Sequence, residues 1–293
     1  MKSLWITLLA AIMPLAMMGQ AKPISPNLFG IFFEDLNYAA DGGLYAELVQ
    51  NRSFEYSPTD LDPHKQPRRG WHYFTAWEYA KDGNAIGLIS LETREPIHEN
   101  NPHYLVMDVK TVGRWGAGLR NFGYDGMVLR KGKGYRFSVF LRNEEGDRMP
   151  VGIVLKNKDG KMVADTTFTA ASADWKKYEF VLTAREDADT ASLTLRFKSE
   201  GRIAIDMVSL MPVDTYKGRK NGLRRDLAET IAALKPAFVR FPGGCLAHGD
   251  GIANIYNWKN TIGPVEQRKG DKNIWNYHQS MGLGYFEYLQ FCE

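Results

Sequence analysis

Phe238-Val-Arg-Phe-Pro-Gly-Gly-Cys245 is an apolar run that stops in a turn and ends on a thiol. Phe238, Val239 and Phe241 have the character of a buried strand, with Arg240 set inside it. Pro242-Gly243-Gly244 terminates it. Far upstream, Phe29-Gly-Ile-Phe-Phe-Glu-Asp-Leu-Asn37 repeats the arrangement, with Glu34, Asp35 and Asn37 following the apolar residues. Two buried strands whose carboxyl ends carry polar groups describe an α/β enzyme with its site at the strand ends.

Working outward, apolar residues at Leu223, Leu227, Ile231 and Leu234, closed by Pro236, predict a helix directly before the second strand. Strand, helix and strand in series make one unit of a parallel sheet. If that helix is the first outer one, everything between the strands sits in the loop after strand one, on the face where barrel enzymes keep their chemistry. Gly42 to Val49 also fits a short helix, and as the first outer helix it would move the insertion toward the opposite face. Gly284 to Cys292 predicts a second outer helix. Two strands do not close an eight-stranded barrel, so the expectation is the start of a truncated (β/α)8 TIM barrel.

The insertion has another character. Pro58, Pro63 and Pro67 mark a polar linker over 58–70. From 71 to 213 strand follows strand with period-2 alternation, as in Tyr135-Arg-Phe-Ser-Val-Phe-Leu141 and Ser192-Leu-Thr-Leu-Arg-Phe197. No helical period interrupts, which predicts an all-β sandwich of jelly-roll type, expected to fold as a unit. The α/β part then comprises 22–57, the first strand and its loop, and 214–293, its continuation.

The 293 residues are 44% hydrophobic and 24% charged, typical of a globular chain. A net charge of +3 is too small to argue for a nucleic-acid partner, no Lys/Arg cluster strengthens the case, and none is expected. Lys2, the apolar stretch Leu4 to Met18 and Gly19-Gln20-Ala21 make a signal peptide over 1–21, cut after Gly19 or Ala21. The stretch is short of the ~20 residues a span needs, so the mature protein is expected to be secreted or periplasmic, with no membrane attachment. Cys245, ending a strand, and Cys292, ending the next helix, would lie at opposite ends of a barrel, beyond the ~7 Å a disulfide bridges. No His or Cys stands at metal spacing from Cys245, so neither metal nor cofactor is expected.

The strand ends thus bring a carboxylate (Glu34), a cation (Arg240), a thiol (Cys245) and indoles (Trp258, Trp275) to one region. Aromatic faces with carboxylates and amides suit a sugar ring. Glu34 and Arg240 fit equally an ion pair between neighbouring strands. Alternation puts Glu34 and Asp35 on opposite faces, so they are not the convergent carboxylate pair of a glycosidase. His248 and His278 have no orienting partner that would make either a base for Cys245.

Phe29 to Tyr38, Gly43-Leu-Tyr-Ala-Glu-Leu-Val-Gln-Asn-Arg-Ser-Phe-Glu55, Arg240 to Cys245, Trp258-Lys-Asn-Thr-Ile-Gly-Pro-Val-Glu-Gln-Arg268 and Gly282 to Tyr288 together resemble the α-L-arabinofuranosidases of glycoside hydrolase family 51. The sandwich resembles a carbohydrate-binding module of family 4/9 type. The resemblance implies a (β/α)8 barrel with a separate C-terminal β-sandwich, and retaining hydrolysis of terminal arabinofuranosyl groups of arabinoxylan, arabinan or similar glycans. It implies that Glu34 would hydrogen-bond arabinose hydroxyls, Arg240 would brace that carboxylate, Cys245 would line the pocket and Trp275 would lie near its mouth. Asn37 and Trp258 complete the substrate-binding candidates. The catalytic acid/base and nucleophile would belong to later barrel strands, after Glu293. Asn143-Glu144, expected in a sandwich turn, is a coincidental Asn-Glu pair. The chain alone is therefore expected to be inert. The partner implied is an arabinose-containing polysaccharide or oligosaccharide, with oligomerisation of a full-length parent left open. Two alternatives stand beside this: a carbohydrate-binding protein without catalysis, its platform Trp71, Trp77, Trp115 or Trp175, and another retaining glycosidase of the same barrel clan.

Overall fold

The computed structural model describes residues 22–58, 72–81 and 83–293. The expected leader over 1–21 and residues 59–71, Trp71 included, lie outside these.

Alternation builds the larger part. Its strands are β2 (Trp77–Ala80), β3 (Ile86–Glu92), β4 (Tyr104–Thr111), β5 (Ala117–Asn121), β6 (Met127–Leu129) and β7 (Gly134–Glu145). They continue with β8 (Met149–Lys156), β9 (Met162–Ala170), β10 (Lys176–Thr183), β11 (Ala188–Phe197) and β12 (Gly201–Pro212). They pair antiparallel into a five-stranded sheet, β10-β7-β12-β4-β3, and a six-stranded one, β2-β5-β11-β8-β9 with β6 joined to β11. Tyr135, Phe137, Val139 and Leu141 of β7 lie in one buried core with Leu193, Leu195 and Phe197 of β11. This is the two-layer solution for strands with one apolar face each. Asn143 and Glu144 are not in a turn: β7 runs through them, because Asn143 pairs with Ile203 and Glu145 with Arg202 of β12.

The α/β part begins with β1 (Ile31–Phe32), which pairs in parallel with β13 (Val239–Arg240) in the register Ile31 to Val239 and Phe32 to Arg240. The Ile31 and Phe33 amides donate to the Phe238 and Arg240 carbonyls at 2.9 Å. Between the strands, after the sandwich, comes α1 (Arg225–Ala233). Phe33 and Phe241 turn toward this helix and α3 (Tyr285–Cys292), with Phe241 stacked on Tyr288 at 4.2 Å. The runs are less buried than their composition suggests: Phe29 is 69% exposed, Phe32 53% and Phe238 50%. Continuous apolar strands are buried only when both sheet faces are covered, and here the helices cover one.

Leu44 to Val49 is not a helix. Tyr45 bridges to Leu223, and the Leu48 amide donates to the Leu210 carbonyl at 3.0 Å, so the segment runs extended along β12. The buried Glu47 carboxylate explains this. It accepts from the Val49 amide of its own segment at 2.9 Å and from the Leu210 amide of β12 at 2.8 Å, the latter a bond to another element that a helical turn would forfeit. Among the described residues, no helix is long and apolar enough to cross a membrane.

Candidate functional site

The site begins where β1 and β13 end. After β13 the chain turns through Pro242-Gly243-Gly244 into a single helical turn, α2 (Cys245–His248). Glu34 leaves β1 beneath this turn, and its Oε1 accepts hydrogen bonds from the Gly244 amide at 3.0 Å and the Leu246 amide at 2.9 Å. Only glycine fits at 243. Its φ is +150°, and a Cβ there would stand 2.3 Å from Glu34 Cγ. Cys245 lies between the two donating residues, is partly buried and is a free thiol, as is Cys292. Two N–H bonds on one carboxylate oxygen fix the side chain. Oε2 is left without a protein partner among the described residues.

Asp35 points the other way and is 1% exposed. Its Oδ1 accepts from the Ala40 amide and the Tyr277 hydroxyl, each at 2.9 Å, and its Oδ2 accepts from the Gln279 side-chain amide. Burial, reinforced by the charge of Asp41, pushes its carboxyl up to about 6. Asp41 in turn accepts from the Ser280 amide at 2.6 Å and the Ser280 hydroxyl at 2.8 Å. These contacts pin the hairpin of β14 (Asp271–Lys272) and β15 (His278–Gln279) against the end of β1. Trp275 sits in its turn, packed with Tyr38, Tyr56 and Tyr277.

The structure thus brings Glu34, Cys245 and the hairpin of Trp275 to one end of the strand pair. Asn37 is exposed beside them at φ +53°. Arg240 is placed differently. Its register partner is Phe32, so both side chains leave the same face, and the guanidinium lies 4.7 Å over the Phe32 ring. No ion pair joins it to Glu34 among the described residues, because Glu34 has turned under the loop. Trp258, 45% exposed, packs on Tyr285 at 5.4 Å rather than on this group. Asp41 and Gln279 escaped the sequence reading, as did the role of Asp35 and Tyr277 in holding the hairpin. The available signal was the polar run Tyr277-His278-Gln279-Ser280 facing an Asp at a strand end.

Comparison with known proteins fits this geometry. Residues 46–201 match the family described as Carbohydrate binding domain. The chain belongs to that family. Residues 230–293, which carry β13, its turn and the hairpin, match the Alpha-L-arabinofuranosidase 1 domain. An extracellular exo-alpha-L-arabinofuranosidase of Streptomyces chartreusis is 40% identical over 92% of this chain and 31% of its own length. Alpha-L-arabinofuranosidase 1 of Arabidopsis thaliana is 37% identical over 94% of this chain and 40% of its own length. The solved structure of an arabinose-bound family 51 α-L-arabinofuranosidase superposes with a TM-score of 0.78 at 30% identity, over 90% of this chain and 42% of that one. The resemblance to family 51 arabinofuranosidases therefore holds across the chain. The chain spans well under half the length of these relatives.

Proposed function

We propose that this chain forms the N-terminal part of an exported, retaining α-L-arabinofuranosidase that removes terminal arabinofuranosyl groups from hemicellulose or pectin side chains. In this reading β1, α1 and β13 open a (β/α)8 barrel, and the sandwich is an insertion after the first strand. The observation that carries it is the Glu34 carboxylate, anchored through one oxygen by two turn amides and presenting the other to a sugar hydroxyl. In this reading Cys245 and Asn37 join Glu34 in the sugar pocket, Trp275 stands near its mouth, and Arg240 and Trp258 serve as outer substrate contacts. Retaining hydrolysis needs two carboxyl groups ~5 Å apart on one bond. Glu34 and Asp35 turn to different partners and are not that pair, so the catalytic pair would come from the rest of a longer protein.

In the full-length protein, Glu34→Gln keeps an acceptor for the turn amides and removes the charge. A roughly 10- to 100-fold loss of kcat/KM on nitrophenyl α-L-arabinofuranoside is expected, the worth of one hydrogen bond to a charged group. An unchanged value would count against Glu34 as a sugar contact, and absence of arabinose release by the full-length protein would sink the activity. The chain alone is expected to release none.

A second role, glycan binding by the sandwich itself, is favoured by Trp115. Trp77 is core, its indole donating to the Asn51 carbonyl at 2.8 Å, and Trp175 packs on Arg142 and Tyr104. Trp115 is 51% exposed, with one face under the Arg114 guanidinium. Trp115→Ala should abolish retardation in arabinoxylan-loaded native gels if this indole is the platform.

A further inference from the structure

The segment that carries Asn37 is held in an unfavourable shape. Asn37 and Tyr38 are consecutive non-glycine residues in the left-handed region, at φ +53° and +61°. L-residues adopt that conformation in succession only when their surroundings impose it. Here the imposition falls on the Tyr38 ring. On one side it packs on Tyr277 with centroids 4.3 Å apart, and the Tyr38 amide donates to the Tyr277 hydroxyl at 3.3 Å. It also meets the Tyr124 ring edge to face, with centroids 5.7 Å apart.

Tyr124 belongs to the sandwich. It lies in the loop between β5 and β6, which is clamped at its base. Asn121 donates its side-chain amide to the Gln50 carbonyl at 3.0 Å and accepts from the Gly123 amide at 2.8 Å. Tyr124 also covers Gly42, where a Cβ would stand 2.6 Å from the ring. Gly42, at φ +82°, admits this close approach.

We infer that Tyr124 is a positioning residue for the sugar site, so that the inserted sandwich completes the site wall rather than serving only as a glycan-binding appendage. This rests on the proposal that Asn37 faces the substrate. Tyr124 touches no substrate itself. It holds Tyr38 against Tyr277, and through the Tyr38 backbone it fixes the direction of Asn37. Loss of the ring face would let residues 37 and 38 relax to ordinary conformations and withdraw the Asn37 side chain.

Two measurements test this. In the present chain, hydrogen exchange of amides 37–40 should quicken at least tenfold in Tyr124→Ala. Tyr124→Phe, which keeps the ring and loses only the hydroxyl, should stay within threefold of wild type. In the full-length protein, Tyr124→Ala should raise KM for an aryl arabinofuranoside about tenfold with kcat changed less than threefold, and Tyr124→Phe should restore KM. Should Tyr124→Ala fail to fold, Tyr124→Leu keeps apolar volume without the ring face and is expected to behave likewise. Unchanged exchange in the Ala or Leu variant would overturn the inference, as would Phe being as impaired as Ala. Faster exchange with an unchanged KM would reject the positioning role while keeping the clamp. A wild-type full-length protein without arabinofuranosidase activity would instead fail the functional proposal, and exchange would still decide whether Tyr124 holds the segment.

Discussion

The sandwich and the strand pair beside it are held together by different balances of apolar and polar contact. In the sandwich, Phe137, Leu141, Leu195 and Phe197 are all fully buried, and stability comes from many apolar contacts between two sheets. Around β1 and β13, Phe29, Phe32 and Phe238 remain half or more exposed, a smaller apolar cluster around Leu44, Leu223 and Tyr288 covers the helix side, and a few buried polar contacts fix the elements beside it. The Arg268 guanidinium grips both oxygens of Glu287 at 2.8 Å, and Asp35 and Asp41 pin the hairpin. Apolar cores tolerate small losses spread over many contacts. A polar keystone concentrates the loss in one residue and, in exchange, fixes direction, which a sugar site needs.

Phe137→Ala should give the largest effect, about 3–5 kcal/mol from lost burial plus the cavity left behind. Urea denaturation of the purified chain reads it, and a loss below 1 kcal/mol would deny that this is a close-packed core. Arg268→Ala should cost about as much, ~3–5 kcal/mol, although it removes no core, because Glu287 is left charged and buried. That loss should be confined to the α/β part. A protease-resistant sandwich should survive it, and simultaneous digestion of both parts would erase the distinction drawn between them.

Asp35 gives a smaller, pH-dependent effect. Its carboxyl titrates near 6 in the folded chain and near 3.9 when unfolded, so between these values the unfolded state holds fewer protons. Folding stability from this group is full below about pH 4 and falls as pH rises through 6, by roughly 2–3 kcal/mol. The urea midpoint followed from pH 4 to 7 should show this decline, and Asp35→Asn should flatten it. A wild-type midpoint that rose over this range and was unchanged in Asp35→Asn would contradict the assignment. Smallest of all, Phe238→Ala should change stability by about 1 kcal/mol, since only half of the ring is withdrawn from solvent. A loss like that of Phe137 would mean that this face is covered in solution.

Much of the architecture was legible because it follows from local patterns. Period-2 alternation in Tyr135 to Leu141 allows only a strand with one buried face, and a series of such strands allows only a layered β structure. The apolar run ending in Pro-Gly-Gly made a strand followed by a turn unavoidable, and it placed Glu34 and Cys245 near one another. What stayed hidden was every feature set by partners distant in sequence. Leu44 to Val49 has helical composition, yet Glu47 finds its donors on β12 and the segment stays extended. Arg240 looked like the natural brace for Glu34, but register ties it to Phe32. Asp35, adjacent to the residue singled out, became the anchor of a hairpin more than 240 positions away, counted from its bond to Gln279. Sequence alone determined most of the sandwich strands, the two longer helices and the turn after β13, because backbone preference and side-chain period are local; it misread Leu44 to Val49 and Asn143-Glu144, where partners on β12 decide. Only the tertiary structure decided which oxygen of Glu34 is free, what Asp35 holds, and that Tyr124 of the sandwich meets Tyr38 just beyond β1. Hydrogen bonds and ring contacts of that kind depend on a few ångströms between remote segments, and no local pattern encodes them.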